Sequence, residues 1–97
     1  MKKYNQYVRQ ANLFRVFAYE QRLMILDLLR EKGELNVAQI CDGLYDSQAT
    51  VSKNLAILRK ARLVISKRQG REQFYSLNLE GIREALNVLN LKWSEEK

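Results

Sequence analysis

Between Tyr4 and Phe17 the apolar positions Tyr4, Tyr7, Ala11 and Phe14 fall on one stripe, with Val8 beside it. That spacing predicts a first helix over about 4–17. A second helix is predicted from about Glu20 to Arg30, where Leu23, Leu26 and further apolar residues surround much of the circumference. Such density marks a central core helix. Gly33 ends it, and Arg30 and Lys32 suit a helix C-terminus. Asn36 can cap a short third helix, with Val37, Ile40, Cys41 and Leu44 at i, i+3, i+4 and i+7. Asp42-Gly43 is expected to break it.

A fourth helix starts at an N-cap of Asp46 or Ser47 and runs to about Ala61. Val51, Leu55 and Leu58 set its buried side. At about 100° per residue, Ala49, Lys53, Ala56 and Lys60 face the opposite way, with Ser52 on the flank. Two helices joined by a short turn containing Gly43 make a helix-turn-helix over about 36–61. The segments Leu63–Arg68 and Glu72–Leu77 are rich in β-branched or aromatic residues and flank Gln69-Gly70-Arg71. They read as a β-hairpin over about 63–77. Last, Leu79, Ile82, Leu86, Leu89 and Trp93 repeat at spacings of 3, 4, 3 and 4, a heptad-like seam on a terminal helix of about 79–93. The expected fold is mainly α: five helices and one small hairpin.

Composition narrows the picture. A chain of 97 residues makes a single small domain with a thin core. Its apolar and charged fractions are those of a globular protein. No apolar run approaches the roughly 18–20 residues of a membrane span, and the N-terminus does not lead into a signal-peptide core. A cytoplasmic location is expected. The single cysteine agrees, because it permits no intrachain disulfide.

Charge changes the picture more. The chain has 17 Lys and Arg against 11 Asp and Glu. Seven of those bases, Lys53, Arg59, Lys60, Arg62, Lys67, Arg68 and Arg71, lie between Ser47 and Arg71, a stretch with no acid. The remaining residues therefore balance to within one charge, and the whole positive excess sits on a helix followed by a hairpin. Double-stranded DNA is the partner such a surface suits, because it is a line of negative charge with a helix-wide major groove. A membrane-surface helix is disfavoured, because the bases do not lie on one long amphipathic helix.

Leu13–Cys41 followed by Ser47–Leu77 resembles the ArsR/SmtB-type winged-helix repressors. The most specific likeness is S-Q-x-T-V-S-x-x-L-x-x-L at Ser47–Leu58, with K-R-Q-G and Y-S-L between Lys67 and Leu77. The resemblance implies a homodimer joined through its terminal helices. In it each fourth helix would enter a major groove and each wing would track phosphate or a minor groove. Carried over position by position, the groove-facing residues are Gln48, Ala49, Thr50, Ser52 and Lys53. The chemistry agrees: Gln48 can pair bidentately with adenine, Thr50 offers a hydroxyl and a methyl, and Lys53 reaches guanine or phosphate. Lys60, Lys67, Arg68, Gln69 and Arg71 complete the candidate DNA-binding set, with Gly70 allowing the tight turn. The candidate dimer interface is Tyr4, Tyr7, Ala11, Phe14, Ile82, Leu86, Leu89 and Trp93, two stripes that a small monomer would struggle to cover.

The chain departs from the family pattern in three places. Lys53-Asn54 stands where His-His or His-Gln is common, which points to a different preferred operator. Tyr19-Glu20-Gln21-Arg22 replaces Asp-Pro-x-Arg, keeping only the arginine. Where many relatives bind thiophilic metals through Cys-Val-Cys, this chain has Asn36-Val37-Ala38, and it has no His at all. Transition metals prefer imidazole and thiolate donors, so no metal or other cofactor is expected. Cys41 reads as a small core hydrophobe. Without His, a G-x-S-x-G elbow or a phosphate-cradling Gly loop, no enzyme activity is expected. Two functions remain open: a dimeric sequence-specific repressor, or a winged-helix interaction module that antagonises another regulator. A protein or small-molecule effector is possible for either.

Overall fold

The computed structural model describes residues 2–89, with side chains from Tyr4 onward. The elements run α1 (Lys2–Phe17), α2 (Glu20–Lys32), β1 (Leu35–Asn36), α3 (Val37–Leu44), α4 (Gln48–Lys60), β2 (Val64–Gln69), β3 (Glu72–Leu77) and α5 (Leu79–Val88). Mainly helical architecture with a small hairpin wing is therefore what the chain adopts. Trp93 and the end of the expected last helix lie outside the described residues.

Local chemistry explains most boundaries. Gly33, at φ 91°, closes α2 by donating its N–H to the Leu29 carbonyl. Asn36 forms a full capping box on α3: its side chain accepts from the Gln39 N–H at 2.8 Å, and Gln39 Oε1 accepts from the Asn36 N–H at 2.9 Å. Ser47, rather than Asp46, caps α4 by accepting from the Thr50 N–H. The far end of α4 closes in a Schellman motif. Leu63 N–H bonds the Leu58 carbonyl and Arg62 N–H bonds that of Arg59, with Arg62 left-handed at φ 65°. Leu58 and Leu63 are both fully buried and form the apolar contact of that motif.

The core is one cluster. Ile25 and Leu29 of α2, Ile40 of α3, Val51, Leu55 and Leu58 of α4, Leu63, Val64 and Ala85 interlock there. Burying each of the larger side chains is worth about 2 kcal/mol before the entropy cost. Leu13, Val16 and Phe17 dock the C-terminal half of α1 on this cluster, and Ile82 docks α5.

Four sequence expectations need correction. Asp42-Gly43 does not break α3, which continues to Leu44 and closes at left-handed Tyr45 (φ 54°). Gly43 instead lets α3 approach α2, since a Cβ there would lie 2.9 Å from Leu28 Cδ2. The turn of the helix-turn-helix is thus Tyr45–Ser47. Second, α2 is not buried all round: Leu23 and Met24 are about half exposed. Third, α5 turns a different face inward. Gly81, Ala85 and Leu89 are buried against the chain's own core while Leu79 and Leu86 are exposed, so Leu89 does not stand on an outward seam and Ile82 is only half exposed. Fourth, a short strand escaped prediction: β1 pairs antiparallel with β3, giving a three-stranded sheet in the order β1-β3-β2.

Candidate nucleic-acid interface

α4 has a sharply divided surface. Val51, Asn54, Leu55 and Leu58 are buried, whereas Gln48, Ala49, Ser52, Lys53, Ala56 and Lys60 are exposed. Apart from the two lysines and the likewise exposed Arg59, the exposed side chains are short or neutral, and none is acidic. A helix with small residues between cations can approach a groove floor closely and still reach its phosphate walls. Thr50 is half-buried, and its hydroxyl lies 3.0 Å from Ser47 Oγ, within the N-cap of α4. Thr50 is the acceptor in that bond, so its own O–H remains available to donate.

The wing stands beside this helix. β2 and β3 pair from Val64↔Leu77 to Gln69↔Glu72, leaving Gly70-Arg71 as a two-residue turn. Gly70 has φ 66° at the first turn position and Arg71 is not left-handed, which is the signature of a II′ turn. Strand alternation then sends Lys67 and Arg68 to opposite faces of the hairpin, so the expected basic trio does not form a single face. Lys67 sits 3.7 Å from the Glu34 carboxylate, both partly exposed, and part of its charge is offset there. Arg68, Gln69 and Arg71 are exposed, and among the described residues neither arginine has an ion-pair partner within 4 Å. These two arginines, rather than Lys67, carry the wing's free charge.

The wing's position is tied to the helix-turn-helix by Asn36. While its Oδ1 caps α3, its Nδ2 donates to Glu72 Oε1 at 2.8 Å. Between them, α3, the N-terminus of α4 and the wing tip enclose an open cleft of ≈ 250 Å³, with Gln48 on one wall and Arg71 and Gln73 on the other. A strand of backbone lying between helix and wing would pass this cleft. Three further exposed residues extend the surface: Arg59 in the last turn of α4, Arg62 just beyond its C-terminal end, and Tyr45 just before its N-terminus, 97% exposed. Tyr45 was absent from the candidate set, because its exposure follows from a left-handed cap that no periodicity shows.

Asn54 is the clearest reassignment. It is 8% exposed and points inward, where its Oδ1 accepts from Arg22 Nε at 3.0 Å. It therefore cannot read an operator, and any difference made by Lys53-Asn54 falls on Lys53 alone.

On α1, Tyr4, Tyr7 and Phe14 are 67, 61 and 53% exposed, with Ala11 half-buried between them. Leu79 and Leu86 are exposed on α5. Cys41 packs against the core but also borders an open cleft of ≈ 300 Å³ with Val37, Ala38, Asp42 and Gln48. Among the described residues no group of three or more His, Cys, Asp or Glu could hold a metal ion. No helix among them is long and apolar enough to cross a membrane.

A helix-turn-helix followed by a basic two-stranded wing defines a winged helix-turn-helix protein. Residues 20–66 match the family described as bacterial regulatory protein, arsR family. An HTH-type transcriptional regulator of Methanocaldococcus jannaschii is 35% identical over 85 residues, covering 88% of this chain and 96% of that protein. The arsenical resistance operon repressor of Escherichia coli K12 is 36% identical over 85 residues, covering 88% of this chain and 73% of that one. Among solved structures, the homodimeric winged helix-turn-helix DNA-binding domain of a possible ArsR-family regulator from Mycobacterium bovis superimposes with a TM-score of 0.74 at 28% identity, covering 98% and 93% of the two chains. The chain belongs to the arsR family of bacterial regulatory proteins. The relatives named are regulators of transcription.

Proposed function

We propose that this protein is a homodimeric, sequence-specific repressor that binds an inverted-repeat operator and does not respond to metal. The observation that carries this reading is the outward face of α4, where Ala49, Ser52, Lys53, Ala56 and Lys60 are exposed and acid-free opposite a fully buried apolar face. Gln48, Ala49, Thr50, Ser52 and Lys53 read base edges from the first turns of the helix. Arg68 and Arg71 hold phosphate from the wing, with Lys60 and Gln69 at the margins. The exposed aromatic stripe Tyr4-Tyr7-Phe14 supports dimerisation, because an apolar surface of that size on a small chain calls for a partner. A two-fold dimer requires half-sites related by inversion and spaced by about one helical turn or a few. Metal insensitivity rests on donor chemistry: there is no His, one Cys, and Asn36 and Ala38 where thiolates would be needed.

The test is titration of the protein against the DNA upstream of its own gene and against an unrelated duplex of equal length. Specific binding with a two-fold symmetric footprint is expected. Lys53→Ala should lose affinity for the first DNA and keep it for the second. Equal affinity for both DNAs in the wild type would favour the interaction-module reading.

A further inference from the structure

Among the described residues, Arg22 is a buried cation with no carboxylate within 4 Å. It is 9% exposed, and its partners among the described residues are three neutral oxygens and a ring face. Nη1 donates to the Arg15 carbonyl at 3.2 Å and the Val16 carbonyl at 3.1 Å. Both belong to the last turn of α1, where the helix dipole is negative, and the Arg15 carbonyl also accepts from the Ala18 N–H at 3.2 Å. The guanidinium carbon lies 4.2 Å from the Tyr19 ring centroid. Nε donates to Asn54 Oδ1, on the inner face of α4, at 3.0 Å. One side chain from α2 thus joins the end of α1 to the back of α4.

Packing alone does not call for this arrangement. A buried arginine solvated only by neutral groups retains much of its desolvation cost, and apolar residues of similar volume would often stabilise the fold as well or better. What the arrangement supplies is direction. Apolar contacts tolerate small slides and rotations, whereas a planar guanidinium bonded on three sides fixes the relation of the helices it joins. Asn54 directly follows Lys53, so its orientation sets the rotation of the reading face about the α4 axis.

We infer that Arg22 and Asn54 are positioning residues that lock the recognition helix α4 to the dimerisation helix α1, and so set the half-site spacing the dimer accepts. This rests on the DNA-binding reading above. Changing an operator's spacer by one base pair displaces a half-site by about 3.4 Å and rotates it by about 34°. A rigid connection rejects that change; a loosened one tolerates it.

The experiment compares affinities for the cognate operator, for the same operator with its spacer lengthened by one base pair, and for unrelated DNA. The proteins are wild type, Asn54→Asp, Asn54→Leu and the double variant Arg22→Met/Asn54→Leu, which removes both polar partners together. Asn54→Asp keeps the acceptor and should keep wild-type spacing selectivity. Asn54→Leu and the double variant should lose about tenfold in the cognate-to-altered-spacer ratio, with affinity for unrelated DNA unchanged. A merely structural role would lower thermal stability and leave that ratio alone. Should either apolar variant fail to fold, Asn54→Ser, too short to reach the guanidinium, is measured in its place. Folded variants that keep the wild-type ratio within twofold overturn the inference. A wild type that shows no operator preference overturns the DNA-binding reading instead.

Discussion

Gly81 sits in the first turn of α5, and a methyl group there has nowhere to go. A Cβ would overlap the Arg62 carbonyl oxygen and fall 2.9 Å from the Arg62 carbonyl carbon and 2.7 Å from Asn78 Nδ2. These are backbone atoms of a left-handed cap and the very side chain that caps α5. Asn78 accepts from the Gly81 N–H at 3.2 Å and donates to the Arg62 carbonyl at 3.0 Å. Gly81→Ala should therefore lose the cap, about 1 kcal/mol, and the Asn78–Arg62 bond, about 1 kcal/mol more. Displacing the helix start from a packed junction adds about 1–3 kcal/mol, while the better helix propensity of Ala returns about 1 kcal/mol. The net loss is about 2–4 kcal/mol, a large share of a small domain's stability. Gly43→Ala is the internal control. The three atoms nearest its Cβ all belong to the Leu28 side chain, which can rotate, so the same propensity gain leaves it near neutral. Urea unfolding at one fixed protein concentration, which holds any dimer linkage constant, measures both. A Gly81→Ala loss below about 1 kcal/mol, or equal losses in the two variants, would refute this account of how α5 is seated.

Other consequences are separable by simple assays. Leu86→Glu places a charge among the apolar residues proposed for the dimer and should raise the dimer dissociation constant by roughly a hundredfold, or about 3 kcal/mol; unchanged sedimentation would mean the interface lies elsewhere. Tyr45→Gly relieves a left-handed backbone and should raise unfolding stability by about 0.5–1 kcal/mol, and any accompanying loss of DNA affinity would identify the exposed ring as a DNA contact. Stoichiometric Zn(II) or peroxide should leave the protein on its operator. If either releases the wild type while Cys41→Ala stays bound, Cys41 is a sensor and not simply a core residue.

Much of this was legible because it rests on local periodicity and capping. The 3.6-residue period separated Lys53 and Lys60 from Val51, Leu55 and Leu58, and the Gly70 turn fell between two β-rich segments. Asn36 marked its helix start by residue type and spacing. The misses required knowledge of what packs where. Gly43 reads as a breaker until Leu28 is seen against its bare backbone. Asn54 reads as a surface amide because the arginine it bonds is 32 residues earlier. On α5, counting large apolar residues put Leu89 on the same outward seam as exposed Leu79 and Leu86. The helix instead buries Gly81, Ala85 and Leu89, and bare Gly81 allows the close approach to the Arg62 carbonyl. The two-residue strand β1 is too short for any alternation and exists only through its pairing with β3.

The central claim is that α4 and the wing form a phosphate-gripping, base-reading surface, and the salt dependence of operator binding tests it most directly. Affinity of the wild type and of Arg68→Ala/Arg71→Ala would be measured across a series of salt concentrations on the same operator. If each arginine holds one phosphate, a dimer lacking both loses four contacts, and the slope of log affinity against log salt should become shallower by about 3.6. An unchanged slope, or a wild type whose DNA affinity does not depend on salt, would contradict the account.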